Sequence, residues 1–222
     1  LAQSIISDIP GIKNSARTSW GNQALFSLND KNINEMGIYA DSSFLSMFQL
    51  QFIKGNAASA FSQLHSIVIS KKMADKFFNS TNVLGKTLRV DNKQDYVVSG
   101  VIKDLPENVS IKFEWIAPFK IYEEQNPGLQ QWGNNSILTY VETGVNADIN
   151  SINKKFYNYL DSTKQKDLNA KFSVYPMSRW RLYDSFENGK EVAGRIKYVN
   201  LFGLIAWIIL IIACINFMNL ST

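Results

Sequence analysis

The sequence is poor in the residues that most metal centres and disulfide frameworks require. Its 222 residues include one cysteine, Cys214, and one histidine, His65. A single cysteine cannot close a disulfide within the chain, and one histidine cannot supply the histidine clusters of most catalytic zinc sites. Calcium-loop and C-x-x-C patterns are also missing from the sequence. These absences exclude disulfide scaffolds and histidine-rich metalloenzymes, and we expect no metal or other cofactor.

Motifs for nucleotide binding or nucleophilic catalysis are lacking as well. The sequence GKT at 85–87 resembles the end of a phosphate-binding loop, but Ser80 stands where that motif requires a glycine. The GKT segment also leads into an expected strand, whereas a phosphate-binding loop leads into a helix. His65 beside Ser66 is not a credible base and nucleophile, because sequence neighbours rarely face each other and no G-x-S-x-G motif is present. We therefore expect no enzyme activity.

Charge is balanced but unevenly placed. The chain has 23 basic and 19 acidic residues, a formal net charge of +4, without a block of five or six like charges. This pattern gives little support for nucleic-acid binding, and we expect no nucleic-acid partner. Hydrophobic residues make up 45% of the chain, which favours a packed core. No charged residue follows Lys197, so the last 25 residues need a separate explanation.

This charge-free tail is long and apolar enough to cross a bilayer. Residues 201–215 read LFGLIAWIILIIACI, and only Gly203 falls outside the hydrophobic set. With its flanks the segment reaches about 20 residues, which at ~1.5 Å per residue spans a hydrocarbon core of roughly 30 Å. A buried core helix is the alternative, but one this apolar is unusual in a small domain. We predict a transmembrane helix over 198–222 and, because the chain opens with Leu1, a fragment of a longer protein.

The first 197 residues predict short strands and helices around an apolar core. We expect helices at 1–8, after Asp41 or Ser42, at 71–78 with Ser70 as N-cap, and at 147–166. We expect strands at 12–20, 37–40, 67–69, 88–90, 96–102, 111–119, 137–141 and 172–177. The β, α, β order around 137–177 and the strand-rich middle together predict an α+β fold.

Two groups of residues are candidate contact sites. Arg179, Trp180 and Arg181 precede the apolar tail, where basic and aromatic residues commonly meet lipid headgroups or a partner. The alternative is a connecting loop that packs on the domain. Asn216 and Asn219 lie in the apolar tail, where amides commonly bond a neighbouring helix. The alternative for both amides is the polar end of the span.

Several segments resemble a known family. Residues 195–222, RIKYVNLFGLIAWIILIIACINFMNLST, resemble the start of the second transmembrane helix of FtsX-like permeases of the MacB type, especially those of Bacteroidetes. Upstream, IVISKKMADKFF at 67–78, LGKTLRV at 84–90 and VVSGVIKDLPENVS at 97–110 resemble, in the right order, the MacB-like periplasmic core domain. The resemblance covers nearly the whole chain.

The resemblance implies a particular architecture. Residues 1–197 would be a periplasmic core domain between a first transmembrane helix, which would precede Leu1, and a second at 198–222. A membrane-proximal, porter-like βαβ lobe would comprise about 1–22 and 135–197. An inserted, β-rich distal lobe would comprise about 24–120. The protein would lie in the bacterial inner membrane, with residues 1–197 in the periplasm.

The resemblance also implies a function and partners. Such permeases convert ATP hydrolysis by a cytoplasmic ABC ATPase into periplasmic movement, called mechanotransmission, to export or release a substrate such as a peptide, antibiotic or lipoprotein. The expected partners are that ATPase, a second permease in a homodimer or heterodimer, a periplasmic adaptor with an outer-membrane channel, and membrane lipid. The alternative is the ligand-binding periplasmic domain of a single-span membrane sensor. Three further apolar spans after Thr222 would favour a permease, and an effector domain would favour a sensor.

Overall fold

The computed structural model describes residues 2–131, 134–157, 159 and 171–220. The chain forms two compact units, Leu1–Val174 and Tyr175–Thr222. The first unit combines one large mixed sheet with five helices among its described residues, and the second combines a small hairpin with one long helix. The predicted α+β class is confirmed.

Eleven strands are present in the described residues. The nine strands of the large sheet are β1 (Ile12–Ser19), β2 (Asn22–Leu28), β3 (Lys31–Ala40), β4 (Phe52–Lys54), β5 (Ser66–Ser70), β6 (Thr87–Val90), β7 (Gln94–Ile102), β8 (Trp115–Pro118) and β9 (Ile137–Thr143). The two-stranded sheet consists of β10 (Ser185–Glu187) and β11 (Lys190–Val192).

The large sheet closes on itself. Eight of its nine strands follow the order β2-β6-β7-β5-β8-β3-β1-β9, the ninth, β4, pairs with β7, and β2 pairs with β3 as well as with β6. Six strands therefore form a ring, and β1 and β9 extend from it as an antiparallel pair. The β3–β8 and β5–β7 pairs are parallel, and the other pairs in the ring are antiparallel. Closing the ring leaves its six strands without a free edge, whereas β9 and β4 each pair on one side in the described residues.

The described residues contain six α-helices: α1 (Ala2–Asp8), α2 (Ser42–Met47), α3 (Lys71–Phe78), α4 (Phe119–Gln125), α5 (Ile149–Tyr157) and α6 (Ile196–Leu220). Helix α3 begins where the sequence predicts, because the Ser70 hydroxyl accepts a hydrogen bond from the Met73 amide at 3.0 Å. Asp41 precedes α2, but its carboxylate makes no cap bond. That carboxylate binds Arg17 instead.

The core of the first unit contains two separate groups of buried apolar side chains and, outside both groups, further buried residues that include Phe44, Phe113, Ile116 and Tyr140. The larger group lies within and around the six-stranded ring and includes Phe26, Leu88 and Trp115. The smaller group joins α1, the start of β1 and α5 through Ile5, Ile9, Ile12, Ile152, Phe156 and Tyr159. Every residue of β5 and β8 is buried, so both faces of these two ring strands are covered.

The structure corrects two predicted strands. The alternation over 111–119 predicts one strand, but β8 spans Trp115–Pro118 and Phe119 begins helix α4. The strand predicted at 172–177 is wrong, because 171–176 has no regular structure and Met177 begins a short 3-10 turn. Phe172 and Val174 nevertheless pack on the smaller core group, which explains their apolar character. The second half of the helix predicted at 147–166 falls mostly outside the described residues.

Candidate membrane-coupling site

Helix α6 carries the apolar tail predicted to span a membrane. Its 25 residues include none that is buried, and no other described helix is long and apolar enough to cross a bilayer. Asn216 and Asn219 lie three positions apart, so their amides share one side of the helix and are exposed. Among the described residues no α6 side chain is buried, so the packing role of the two amides stays a prediction.

The residues before α6 form an ordered hairpin segment, defined here as residues 175–195. Its β10 and β11 strands pair in register across the turn at Asn188 and Gly189. Both turn residues have positive φ, at 50° and 75°, as a two-residue type I′ hairpin requires. The Asn-Gly pair is a strong local signal for a hairpin, and it predicts this one from the sequence alone.

A charged cluster fixes one side of this hairpin. The guanidinium of Arg179 donates to both carboxylate oxygens of Glu191, with Nε 3.0 Å from Oε2. The Tyr175 hydroxyl donates to the same Oε2 at 2.5 Å, and the Tyr175 ring packs edge-on against Phe186. The guanidinium carbon of Arg179 also lies 4.1 Å from the centre of the Tyr183 ring. Arg179, predicted as a membrane or partner contact, is therefore engaged within the hairpin segment.

These contacts shift the protonation equilibria of the cluster. Hydrogen bonding to Arg179 first, and to Tyr175 second, lowers the pKa of the Glu191 carboxyl. Burial, followed by the bond to Glu191, raises the pKa of Tyr175. The bond to Glu191 also raises the pKa of Arg179. The ion pair therefore stays charged at neutral pH and acts as a fixed support. The other two predicted contact residues differ in exposure, since Trp180 is half-buried and Arg181 is exposed.

A second set of bonds ties the hairpin segment to the first turn of α6. The amide of Ile196 donates to the carbonyl oxygen of Leu182 at 2.9 Å. Nε of Arg195 lies 3.0 Å from a carboxylate oxygen of Asp184. Gly194 packs so closely that an added Cβ would lie 2.5 Å from Oδ1 of Asp184 and 2.9 Å from its backbone nitrogen. A displacement of α6 along its axis would therefore pull on residues 182–184 directly.

The site offers geometry for mechanical coupling and no metal-binding chemistry in its described part. No group of three or more histidine, cysteine or acidic side chains in the described residues is placed to hold a metal ion. Four charged groups of the hairpin segment form two ion pairs, Arg179 with Glu191 and Arg195 with Asp184, that hold backbone segments together. This arrangement connects the start of α6 to the hairpin segment.

Comparison with known protein families decides the identity of the chain. Residues 1–156 match the family described as the MacB-like periplasmic core domain, which is more than two thirds of the sequence. The chain belongs to this family. It is therefore a MacB-like periplasmic domain of an ABC transporter permease, followed by one helix long and apolar enough to span a membrane. The predicted family is confirmed.

Solved structures agree with the MacB-like assignment. A domain of a protein described as a permease from Porphyromonas gingivalis has a TM-score of 0.70 at 26% identity, over 80% of this chain and 82% of that one. The extracellular domain of the ABC-type transporter YknZ from Gram-positive bacteria has a TM-score of 0.52 at 21% identity, covering 73% and 83%. The periplasmic region of MacB from Actinobacillus actinomycetemcomitans has a TM-score of 0.52 at 17% identity, covering 77% and 82%. The last two show the fold alone. No curated relative matches the chain.

Proposed function

We propose that this MacB-like domain transmits the work of a cytoplasmic ABC ATPase to the periplasm. The observation that carries the proposal is the bonding of the hairpin segment to the first turn of α6 through Leu182, Asp184 and Arg195. A helix that moves in the membrane would transfer its displacement to residues 175–195 through these bonds. Permeases of this type work with ABC ATPase subunits, which gives the displacement an energy source.

The transmitted movement would pass through two lobes. The proximal lobe comprises about 1–22 and 135–197, and the distal lobe comprises about 24–120. The support is that one apolar group joins α1, β1 and α5 and another fills and surrounds the six-stranded ring, while the lobes would meet where Phe44 of α2 packs on Tyr140 of β9. Because packed cores move as rigid pieces, each group is a natural unit of movement.

The proposed setting is the bacterial inner membrane, with residues 1–197 in the periplasm and 198–222 crossing toward the cytoplasm. The permease would act as a homodimer or heterodimer with its ATPase, and with a periplasmic adaptor and an outer-membrane channel where the substrate crosses both membranes. The substrate class is a peptide, an antibiotic or a lipoprotein. The support is the family match together with the length and apolar character of α6.

Within the membrane, we propose that Asn216 and Asn219 pack against a neighbouring helix. An amide in hydrocarbon is costly when unpaired, and an interhelical hydrogen bond of such a side chain contributes about 0.5 to 2 kcal/mol. The two amides lie on one side of α6, where a single neighbouring helix could satisfy both.

The test replaces both amides with leucine in the complete permease, reconstituted with its ATPase. Asn216→Leu with Asn219→Leu should insert at least as well as the native chain, because two polar groups leave the hydrocarbon. It should lose the coupling of ATP hydrolysis to periplasmic movement. Met218→Leu is the matched control, since residue 218 points away from both amides. If the double variant keeps full coupling, the amides lie at the aqueous end of the helix and the packing proposal is withdrawn.

A further inference from the structure

The β10–β11 hairpin lacks the support that small hairpins usually need. Five of its six strand residues are exposed, and no third strand pairs with it in the described part of the chain. A lone two-stranded hairpin is only marginally stable in water. Phe186 and Glu191 face each other in register and hold one side against Tyr175 and Arg179. The hairpin therefore has one supported side, and the opposite side carries Glu187, Lys190 and Val192.

The position of the hairpin places it at the membrane surface, if α6 spans the bilayer as proposed above. Val192 is four residues from the start of α6, and residues 182–184 are bonded to the first helical turn. A three-residue strand extends about 10 Å. The polar headgroup layer is roughly 5 to 8 Å thick on each side of the hydrocarbon core. The length of the hairpin strands is thus similar to the thickness of the headgroup layer, so the hairpin can reach the headgroups.

The charges of this segment favour an anionic surface. Residues 175–197 contain five basic and three acidic side chains. Two of the acids, Asp184 and Glu191, are neutralised by Arg195 and Arg179. Among the described residues, neither Lys190 nor Lys197 has a carboxylate within 4.0 Å. Outside the two ion pairs remain Arg181, Lys190 and Lys197 and one acid, Glu187, which lies opposite Lys190 in the hairpin, so five basic and three acidic side chains leave a net charge of +2.

An exposed aromatic ring accompanies Lys197. Tyr198 is 54% exposed, and the Lys197 ammonium lies 5.1 Å from the centre of its ring, whereas Phe186, 50% exposed, lies on the hairpin face opposite Lys190. Aromatic rings beside basic side chains are typical of the boundary between hydrocarbon and headgroups. A surface of this composition matches a lipid interface in both its polar and its apolar parts.

We propose that the β10–β11 hairpin is a membrane foot, in which Lys190 and Lys197 bind the phosphate groups of anionic phospholipids. Anchored to the headgroups, the hairpin holds the first turn of α6 at a fixed depth through Leu182 and Asp184. The foot thereby sets the level from which α6 moves. This inference rests on the proposed spanning role of α6 and adds the lipid class that the hairpin binds.

The test uses the full 222-residue chain in lipid vesicles. A fluorescent probe sensitive to polarity is attached to Ser185→Cys in a Cys214→Ser background, because Ser185 is exposed at the start of β10. Vesicles are made of phosphatidylcholine alone or with one quarter phosphatidylglycerol. We expect a blue-shifted emission and protection from the neutral quencher acrylamide in the anionic vesicles. Each of Lys190→Gln and Lys197→Gln should lower the ratio of protected to quenched probe about fivefold.

Controls separate charge from hairpin folding and from helix insertion. Lys190→Arg keeps the charge and should retain protection, and Lys93→Gln removes the charge of an exposed lysine in the turn between β6 and β7 of the first unit and should have no effect. In the native chain, protection of Cys214 from a membrane-impermeant maleimide reports whether α6 is inserted. Equal probe protection in both kinds of vesicle, or insensitivity to the two lysine substitutions, overturns the foot. An exposed probe with a protected Cys214 overturns the foot alone and leaves the proposed function standing. A reactive Cys214 removes the spanning helix and, with it, both proposals.

Discussion

At the scale of the residue, Glu35 is a buried carboxylate held by one lysine. Its side chain is 7% exposed, and its Oε1 accepts a hydrogen bond from the Lys76 ammonium at 2.5 Å. The backbone carbonyl of Glu35 accepts a second bond from the indole nitrogen of Trp115 at 2.9 Å. One residue thus links helix α3 to β3 and β8. A buried charge that loses its partner is costly, so this residue is sensitive to change.

We therefore expect Lys76→Met to destabilise the domain by about 1 to 3 kcal/mol, because it leaves the Glu35 carboxylate buried without a cation. Urea denaturation measures the free energy of unfolding. Lys71→Met is the matched control on the same helix, since Lys71 and Asp75 form an exposed i,i+4 pair worth less than about 0.5 kcal/mol. Glu35→Leu combined with Lys76→Met should recover most of the loss. Equal effects of the two lysine substitutions would contradict the buried-charge explanation.

A second residue-scale prediction concerns Tyr159 and Asp8. The Tyr159 hydroxyl donates to Oδ2 of Asp8 at 2.7 Å, and burial together with this bond raises the pKa of Tyr159 to about 12. A pKa raised above the ordinary value of 10.0 stabilises the fold at every pH below 10, and this stabilisation is lost as the pH rises from 10 to about 12. We expect Tyr159→Phe to be about 1 kcal/mol less stable at pH 7, with the difference vanishing toward pH 12.

The measurement for Tyr159 is the free energy of unfolding by urea at several values between pH 7 and pH 12. Tyr157→Phe is the control, because Tyr157 is 57% exposed two residues away. If the stability difference between the native chain and Tyr159→Phe persists unchanged at pH 12, the hydrogen bond to Asp8 does not raise the pKa of Tyr159. The same bond, with a smaller share from Ser7, lowers the pKa of Asp8, so its contribution at the acid end is lost as the pH falls below 3.8.

At the scale of the element, the parallel pairing of β3 with β8 depends on one glycine. Gly37 lies opposite Trp115, and a Cβ at this position would lie 2.1 Å from the indole ring. Trp115 is 1% exposed, so its ring has no free space to move into. Close strand approach over a large aromatic side chain is a packing requirement that only glycine meets here.

Gly37→Ala should accordingly cost about 3 kcal/mol or more, because the methyl group must displace a fully buried ring. Thermal unfolding followed by near-ultraviolet circular dichroism measures both the stability and the packing of Trp115. Gly144→Ala is the control: nothing lies within 4 Å of its added Cβ, so it should be neutral or stabilising by up to ~1 kcal/mol. A neutral Gly37→Ala would mean that the β3–β8 pair is more loosely packed than described.

Arg17 joins three elements at one point. Its Nε and a terminal nitrogen bind the two carboxylate oxygens of Asp41 at 2.9 and 3.0 Å, and its other terminal nitrogen lies 3.2 Å from Glu123. The guanidinium carbon also lies 4.3 Å from the centre of the Phe119 ring. Arg17 thereby connects β1 to the start of α2 and to α4. Its planar group satisfies all these contacts at once, which an ammonium cannot do.

We expect Arg17→Lys to destabilise the first unit by about 1 to 2 kcal/mol although the charge is kept, because the paired contacts to Asp41 are lost. Chemical denaturation provides the measurement. Lys13→Gln on the same strand is the control, since Lys13 and Glu142 form an exposed pair with little effect on stability. If Arg17→Lys lowers the free energy of unfolding no more than Lys13→Gln does, the charge of Arg17 is sufficient and the planar geometry of its guanidinium contributes nothing to stability.

At the scale of the whole molecule, helix α6 and the first unit favour different solvents. None of the α6 side chains is buried, whereas the first unit contains both apolar groups described above. A helix of this length left in water exposes far more apolar surface than a soluble monomer tolerates. The folded unit requires water and α6 requires lipid, which suits a domain attached to a membrane.

The soluble part should therefore fold without α6. A chain ending at residue 195 should give a cooperative thermal transition in calorimetry. The removal of α6 takes no residue from either apolar group of the first unit. ATP should not shift the transition, since the GKT sequence at 85–87 leads into β6 rather than into a helix. An aggregated product without a transition would contradict the independence of the fold, and a reproducible shift with ATP would reveal a nucleotide site.

The sequence by itself determined the features that depend on neighbouring residues. The N-cap at Ser70, the hairpin from β6 to β7 and the apolar helix α6 follow from local signals, because capping, tight turns and hydrophobic runs act within a few residues. The resemblance of separate short motifs also identified the family before the fold was known. The hairpin at Asn188 and Gly189 belongs to the same class of local signals, although it was overlooked.

Only the tertiary structure decided the features that join distant segments. The ring closes because β2 pairs with both β3 and β6, and no local pattern specifies which strands become neighbours. Phe119 enters a helix rather than extending β8, where it packs in the larger core group beneath Arg17. The apolar residues Phe172 and Val174 suggest a strand, yet they pack on the smaller core group without strand pairing. Apolar periodicity shows that a residue is buried, but the choice of partner depends on packing over the whole chain.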